Sequence, residues 1–256
     1  MDKNKRSIFI TGGTSGIGLA MVKKYLNEDC FVVINYFNGG KRLSLVQEEL
    51  FDAGYHEKDD YIFFRADVGD ERMLTIKFKK ISKNILKNID TLINNAGILK
   101  RGKILELNQS DWIGVFNVNV FGVINVSKLL VSKCLNLKNI INVGSIRGEP
   151  AISRSNNVAY SISKSTIPTL TAVMAKNFGP KVRVNAILPG TIDTPQRQGI
   201  SQEEASLYGE TNSVIKRLGK PEEVAELCYF ITSDKGSYIT GSSIIIDGGY
   251  MINYIK

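Results

Sequence analysis

A tyrosine and a lysine four residues apart, Tyr160 and Lys164, close the stretch VGSIRGEPAISRSNNVAYSISK, and a serine, Ser145, stands near its start. On a helix, positions i and i+4 share a face. A free phenol titrates near pH ~10, and a neighbouring ammonium favours its phenolate, drawing the tyrosine toward working pH. Such a pair makes a general acid and base. The chain needs one of this kind, because its single histidine, His56, lies in the polar run GYHEKDD and reads as solvent-facing. A Ser-His-Asp triad or a histidine-based metal site has little to stand on, and no metal is expected. Taken alone, a Tyr-x-x-x-Lys pair also arises from a packed tyrosine beside a lysine whose stem lies along the surface.

Two further clusters have the residue types for binding a nucleotide. TGGTSGIG (11–18) closes an apolar run and opens a helical pattern. Gly12 permits a tight turn, Gly16 lets the backbone approach a phosphate, and Gly18 lets helix and strand pack closely, with the helix N-terminus offering free N–H groups to a pyrophosphate. The spacing is G-x-x-x-G-x-G rather than G-x-G-x-x-G, and glycines are common in any strand-to-helix turn; position in the first βα unit is what favours a dinucleotide. NNAG (94–97) reads as a plain turn or as a polar cofactor contact at the end of the fourth strand.

The elements that must position these residues follow from alternating apolar runs and helical patterns. Strands are expected at 7–11, 31–36, 61–67, 90–97, 138–145, 182–190 and 242–249. Helices are expected between them: 16–28, 41–54, one helix over 71–87, a long one over about 110–136 started by Ser110, then 158–178, and one over 221–233 opened by Pro221. The strands are near-continuous apolar runs, the pattern of a parallel sheet covered on both faces. Residues 1–256 read as one doubly wound, Rossmann-type α/β domain with a seven-stranded parallel sheet and helices on both faces. The stretch 191–216 reads as irregular and too long for a connector, as substrate lids are.

These motifs occur in order. Thr11-Gly12-x3-Gly16-x-Gly18, Asn94-Asn95-Ala96-Gly97, Ser145, Tyr160-x3-Lys164 and Pro189-Gly190 together resemble the short-chain dehydrogenase/reductase family over essentially the whole chain. The tail RLGKPEEVAELCYFITSDKGSYITGSSIIIDGGY is similar as well, including to 3-oxoacyl-(acyl-carrier-protein) reductases and to sugar or polyol dehydrogenases. The resemblance implies NAD(P)-dependent hydride transfer between nicotinamide and a carbonyl or alcohol carbon. It implies that Tyr160 moves the hydroxyl proton, Lys164 lowers its pKa and holds the nicotinamide ribose, Ser145 hydrogen-bonds the carbonyl oxygen, and Asn119 supports a water-linked relay to the lysine. Cofactor contacts carried over are Thr11, Gly12, Ser15, Gly16, Ile17 and Gly18 at the phosphates, Asp67 and Val68 at adenine, and Asn94, Ala96 and Gly97 beside ribose and nicotinamide. Pro189, Gly190, Ile192 and Thr194 match the carboxamide side.

The second strand ends in Tyr36, where an acid would bind the ribose 2′-hydroxyl of NAD. The missing acid favours NADP, with NAD still possible; Lys41 and Arg42 would face a 2′-phosphate or are plain surface charges. The gap from Ser145 to Tyr160 is fifteen positions, longer than is usual in the family. Arg101, Arg147, Glu149, Arg154, Asn156, Asn157, Gln196 and Arg197 make the expected pocket wall polar and cationic, which suits a polar, anionic or sugar-like substrate. A 3-oxoacyl-(acyl-carrier-protein) reductase remains an alternative, since an acidic carrier suits a basic surface. A non-catalytic NADP-binding interaction protein is a further one, although degenerate members lose the tyrosine or the lysine. The resemblance implies pairing through the helices matching 110–136 and 158–178 and through the C-terminal strand region, so a homotetramer or homodimer is expected.

Composition sets the remaining bounds. The 256 residues carry a net charge of +8, and many lysines fall at helical surface spacing, so neither nucleic acid nor a membrane is expected as partner. No apolar run approaches the roughly 18–20 residues of a membrane span, and the N-terminus reads as a first strand rather than a leader. Cys30, Cys134 and Cys228 are odd in number and far apart, as buried free thiols are. A cytoplasmic enzyme is the expectation.

Overall fold

Alternating apolar residues in the strands face opposite ways, and this builds two cores. In the computed structural model, which describes residues 5–194 and 201–253, Phe9, Phe31 and Val33 join one buried cluster, and Ile8, Ile10, Val32 and Ile34 join the other. The strands are β1 (Ser7–Ile10), β2 (Phe31–Tyr36), β3 (Tyr61–Arg65), β4 (Ile89–Asn94), β5 (Asn139–Val143), β6 (Arg183–Pro189) and β7 (Ser243–Ile246). They form one parallel sheet in the order β3-β2-β1-β4-β5-β6-β7. The order reverses between β1 and β4, which is where a doubly wound sheet opens a crevice at its carboxyl edge.

The helices are α1 (Gly16–Asn27), α2 (Gly40–Asp52), α3 (Glu71–Phe78), α4 (Lys83–Asn88), α5 (Gln109–Phe116), α6 (Gly122–Lys133), α7 (Val158–Phe178), α8 (Gln202–Asn212), α9 (Pro221–Thr232) and α10 (Tyr250–Asn253). Buried residues of α1, α2 and α9 pack on one sheet face, and those of α3, α6 and α7 on the other.

Three local expectations are corrected. The helix expected over 71–87 is two, because Ile81 turns into the core and the Ser82 hydroxyl accepts from Ile85 N to start α4. The long helix is capped two residues before Ser110: Asn108 caps it, accepting from Asp111 N at 3.0 Å while Asp111 accepts from Asn108 N, and Ser110 merely donates to Asn108 Oδ1. The irregular stretch 191–216 contains α8, capped reciprocally by Ser201 and Glu204. Its exposed, polar sequence carries too weak an apolar stripe to be seen by periodicity.

The α5–α6 run, joined through a π-helical turn at Asn117–Phe121, spans Gln109–Lys133 and is long and apolar enough to cross a membrane, with a mean hydropathy of 1.5 over its most apolar window. Asn117, Asn119, Asn125 and Ser127 break up its sequence, so no continuous apolar run is visible there. Its buried face packs into the core, with Val123, Val126 and Leu130 inside.

Candidate active site

The carboxyl ends of β1, β4, β5 and β6 converge on a cavity of about 450 Å³. At the β1 end, Gly12 and Gly16 have positive φ values of 63° and 51°, which only glycine adopts without strain. A Cβ on Gly18 would lie 2.2 Å from Gly12 O, so a side chain there would force the turn away from α1. Ser15 caps α1 by backbone geometry only, with no side-chain hydrogen bond, and the first turn of α1 carries no acid. The first N–H groups of α1 are therefore uncapped by side chains, and Ser15, Gly16 and Ile17 face the cavity. This cradle, with its positive helix end, fits a pyrophosphate.

Thr11 is buried and ties β1 to β4 rather than lining the cavity. Its hydroxyl donates to Ile93 O and accepts from Asn95 N and Ala96 N, both at 2.9 Å. Asn95 then donates to Thr11 O and Gly12 O, at 3.0 and 3.1 Å. Asn95 belongs to the motif but not to the expected cofactor contacts, yet it holds the glycine turn and faces the cavity. Asn94 points the other way, into a buried network with Ser127 and Asn142. Ala96 and Gly97 line the cavity, as do Pro189, Gly190, Ile192 and Thr194.

Tyr36, Asp67 and Val68 lie off this cavity, along the β2–β3 edge. The Tyr36 ring stands edge-on to Phe63, Asp67 accepts from Gly69 N, and Val68 is buried against Gly122. Arg65 pairs in register with Tyr36 and donates to Phe37 O, while Lys41 and Arg42 are exposed in the first turn of α2, which has no acid.

Ser145 follows β5, and Tyr160 and Lys164 sit one turn apart on α7. Tyr160 and Ser145 line the cavity together. Lys164 is 5% exposed, donates to Val143 O at 2.7 Å, and has its Nζ 5.9 Å from the centre of the Tyr160 ring. Burial pushes Lys164 down to about 8. Burial likewise pushes Tyr160 above its ordinary value, against the hydrogen bond from Ser145 and the charge of Arg147. The sequence reading assigned the downward pull to Lys164. In the folded chain Lys164 donates to a carbonyl, and Ser145 and the charge of Arg147 also oppose the effect of burial on Tyr160.

Asn119 is fully buried at the π-helical turn, behind this group. Its Oδ1 accepts from Ile98 N, and its Nδ2 donates to Ile98 O and to Ser163 Oγ. A Cβ added to Gly97 would lie 3.4 Å from Asn119 Oδ1 and 3.6 Å from Lys164 Nζ, so the two flank the same glycine.

The long gap between Ser145 and Tyr160 folds into two short 3-10 turns, Ile146–Gly148 and Pro150–Ile152. Arg147, Arg154 and Asn157 from this segment line the cavity together with Arg101, whereas Glu149 and Asn156 do not; Gln196 and Arg197 lie outside the described residues. Tyr208 of α8 completes the wall and had no sequence signal beyond being an aromatic in a polar helix.

The geometry agrees with known proteins. The enoyl-(acyl carrier protein) reductase family model matches residues 12–251. The chain is 34% identical to 3-oxoacyl-(acyl-carrier-protein) reductase FabG of Thermotoga maritima, covering 95% of this chain and 96% of that one. It is 30% identical to glucose 1-dehydrogenase 2 of Bacillus subtilis, covering 97% and 95%. A short-chain dehydrogenase from Burkholderia cenocepacia, solved in complex with NADP, superposes with a TM-score of 0.84 at 27% identity, covering 97% and 98%. The similarity thus runs along nearly the full length, and the chain belongs to the short-chain dehydrogenase/reductase family of oxidoreductases.

Proposed function

We propose that this protein is an NADP(H)-dependent oxidoreductase that interconverts a carbonyl and a secondary alcohol on a polar small molecule, with Asn119, Ser145, Tyr160 and Lys164 as its working residues. The observation that carries this reading is that Ser145, Tyr160 and the buried Lys164 line the same cavity onto which the glycine turn opens. The bound cofactor supplies or accepts the hydride. In reduction, Tyr160 gives its proton to the carbonyl oxygen as the carbon gains the hydride; in oxidation, it takes the hydroxyl proton as the hydride leaves. Ser145 orients that oxygen. Lys164 favours the phenolate once Tyr160 has given up its proton, and Asn119 holds the loop at Ile98 beside it.

The glycine turn and α1 would hold the pyrophosphate. Preference for NADP is supported by the acid-free end of β2 and by the cations Lys41, Arg42 and Arg65 around it, and the Burkholderia cenocepacia relative was solved with NADP. The Thermotoga maritima relative keeps a 3-oxoacyl-(acyl-carrier-protein) substrate as the second reading. A single domain, with α8 as part of a lid over the site, is consistent with the tyrosine that α8 presents to the cavity. Assembly as a homo-oligomer through the α5–α6 and α7 faces is supported by the exposed Ile113, Phe121, Ile162 and Val173 on them. A cytoplasmic setting suits three buried, unpaired cysteines.

Tyr160→Phe tests the reading. We expect turnover with NADPH to fall by about three orders of magnitude while NADPH binding by fluorescence titration stays within a few-fold. Retention of most turnover would remove Tyr160 from the chemistry.

A further inference from the structure

Two arginines and two tyrosines interlock on one wall of the cavity. Arg147 donates from Nη2 to Tyr208 Oη at 2.9 Å and to Tyr250 Oη at 3.0 Å, and from Nη1 to Ile152 O at 2.9 Å. Its guanidinium lies 4.8 Å from the centre of the Tyr250 ring. Arg154 donates to the same Tyr208 hydroxyl and lies 5.4 Å from that ring. The two tyrosine rings stack, with their hydroxyls 3.0 Å apart. Four separate segments, the turn after β5, the loop before α7, α8 and α10, are thereby brought to one point.

Among the described residues the hydrogen-bond partners of the two guanidinium groups are neutral: a carbonyl and two phenols. Among the described residues neither arginine forms a salt bridge, and no Asp or Glu lines the cavity. Asp247, close by in the chain to Tyr250, has both oxygens occupied by Gly249 N and Met251 N, each at 2.8 Å. Arg101 adds a third cation to the lining. Half-buried charge without a counter-charge is costly, and a protein tolerates it where a ligand supplies the missing partner. Guanidinium groups braced in a plane by aromatic faces bind oxyanions through paired N–H donors. Burial raises Tyr250, but hydrogen bonds from Tyr208 and Arg147 outweigh it and hold the phenol below its ordinary value, a sign of the positive potential here.

Arg147 is also two residues from Ser145, which accepts from Arg147 N at 3.1 Å, so the cationic wall adjoins the reacting group. The geometry points to a substrate that carries an oxyanion, a carboxylate or a phosphate, held by Arg147 and Arg154 while its carbonyl or hydroxyl carbon faces Ser145 and Tyr160. The substrate class is then an oxo acid and hydroxy acid pair, or a phosphorylated ketone and its alcohol. This rests on the oxidoreductase reading above and narrows it.

The test is a matched panel with NADPH: acetoacetate against methyl acetoacetate, and dihydroxyacetone phosphate against dihydroxyacetone. Wild type should favour an anionic member over its neutral partner in kcat/KM by about 30- to 100-fold, the range of a charged hydrogen-bonded contact, and which anion is favoured names the source. Arg154→Met should erase most of that preference through KM, with turnover of the neutral partner within about 3-fold. Arg147→Met, whose charge also acts on Tyr160, should erase the preference ratio while lowering turnover of both partners, and Arg147→Lys should restore part of each. Arg154 is exposed, so its variant stays informative if loss of Arg147 unfolds the α8–α10 contact. Equal use of charged and neutral partners, or a variant that lowers both alike, would overturn the anion site. Thermal shift of the NADPH complex by acetoacetate and by dihydroxyacetone phosphate separates the two readings. Anion-induced stabilisation lost in Arg154→Met upholds the site even if turnover fails, and normal turnover of neutral ketones without such stabilisation sinks the anion site alone.

Discussion

Lys164 is a buried ammonium that donates to a backbone carbonyl, and that has a measurable consequence before any cofactor is added. Its folded value is about 8 against an ordinary 10.5. The unfolded chain therefore binds more protons than the folded one between those values, and stability contributed by this site rises with pH across that window. Between pH 8 and 10 we expect the gap between wild type and Lys164→Met in urea unfolding to change by ~2 kcal/mol in favour of wild type. A pH-independent gap would mean that the lysine is not desolvated as the packing indicates. Tyr160, pushed upward, stays protonated at neutral pH and is ready to act as the acid. Ketone reduction should thus run at neutral pH, with alcohol oxidation accelerating as pH rises. Ser145, Tyr160 and Lys164 were legible in the sequence because spacing and order carry them. Arg147's influence on Tyr160 was not, since it depends on how a fifteen-residue segment folds back on itself.

At the scale of elements, the π-helical turn at Asn117–Phe121 and the first turn of α2 matter most. One wider turn in an otherwise α-helical run re-aims the residues on it, and such turns concentrate at functional sites. Here it coincides with Asn119, whose amide holds both backbone groups of Ile98. Asparagines in NVNVF signalled polarity, but helix register in the folded chain determines which of them turns inward. The proposed NADP preference is testable at the start of α2. With no acid at the end of β2, the exposed Lys41 and Arg42 are the charges placed to meet a 2′-phosphate. Replacing both with alanine should weaken NADPH binding about 10- to 100-fold by isothermal titration while NADH binding changes less than 3-fold. Equal weakening of both would assign these residues to general charge.

The whole molecule leaves apolar side chains uncovered on neighbouring outer helices. Phe121 is half exposed at the π-helical turn, and Ile162 on α7 is 45% exposed. A second copy of the chain covering these faces would remove them from water. Light scattering should report a mass that is a multiple of 28.4 kDa, and Phe121→Lys with Ile162→Lys should shift it downward. A monomeric wild type would end the assembly proposal.

Short-range physics determined much of this protein before any folding was considered. Continuous apolar runs require a sheet buried on both faces, helical periodicity between them requires crossovers, and glycines at Gly12 and Gly16 permit a turn that other residues resist. Five motifs in order placed the chemistry on the carboxyl edge of that sheet. Tertiary structure decided what local pattern does not encode. Asn94 turns into the core while its neighbour Asn95 holds the glycine turn, because only sheet pairing sets which side chain faces which way. Tyr208 and Tyr250 meet Arg147 across 61 and 103 residues of sequence. That wall exists only when the chain has closed, because its residues come from separate segments.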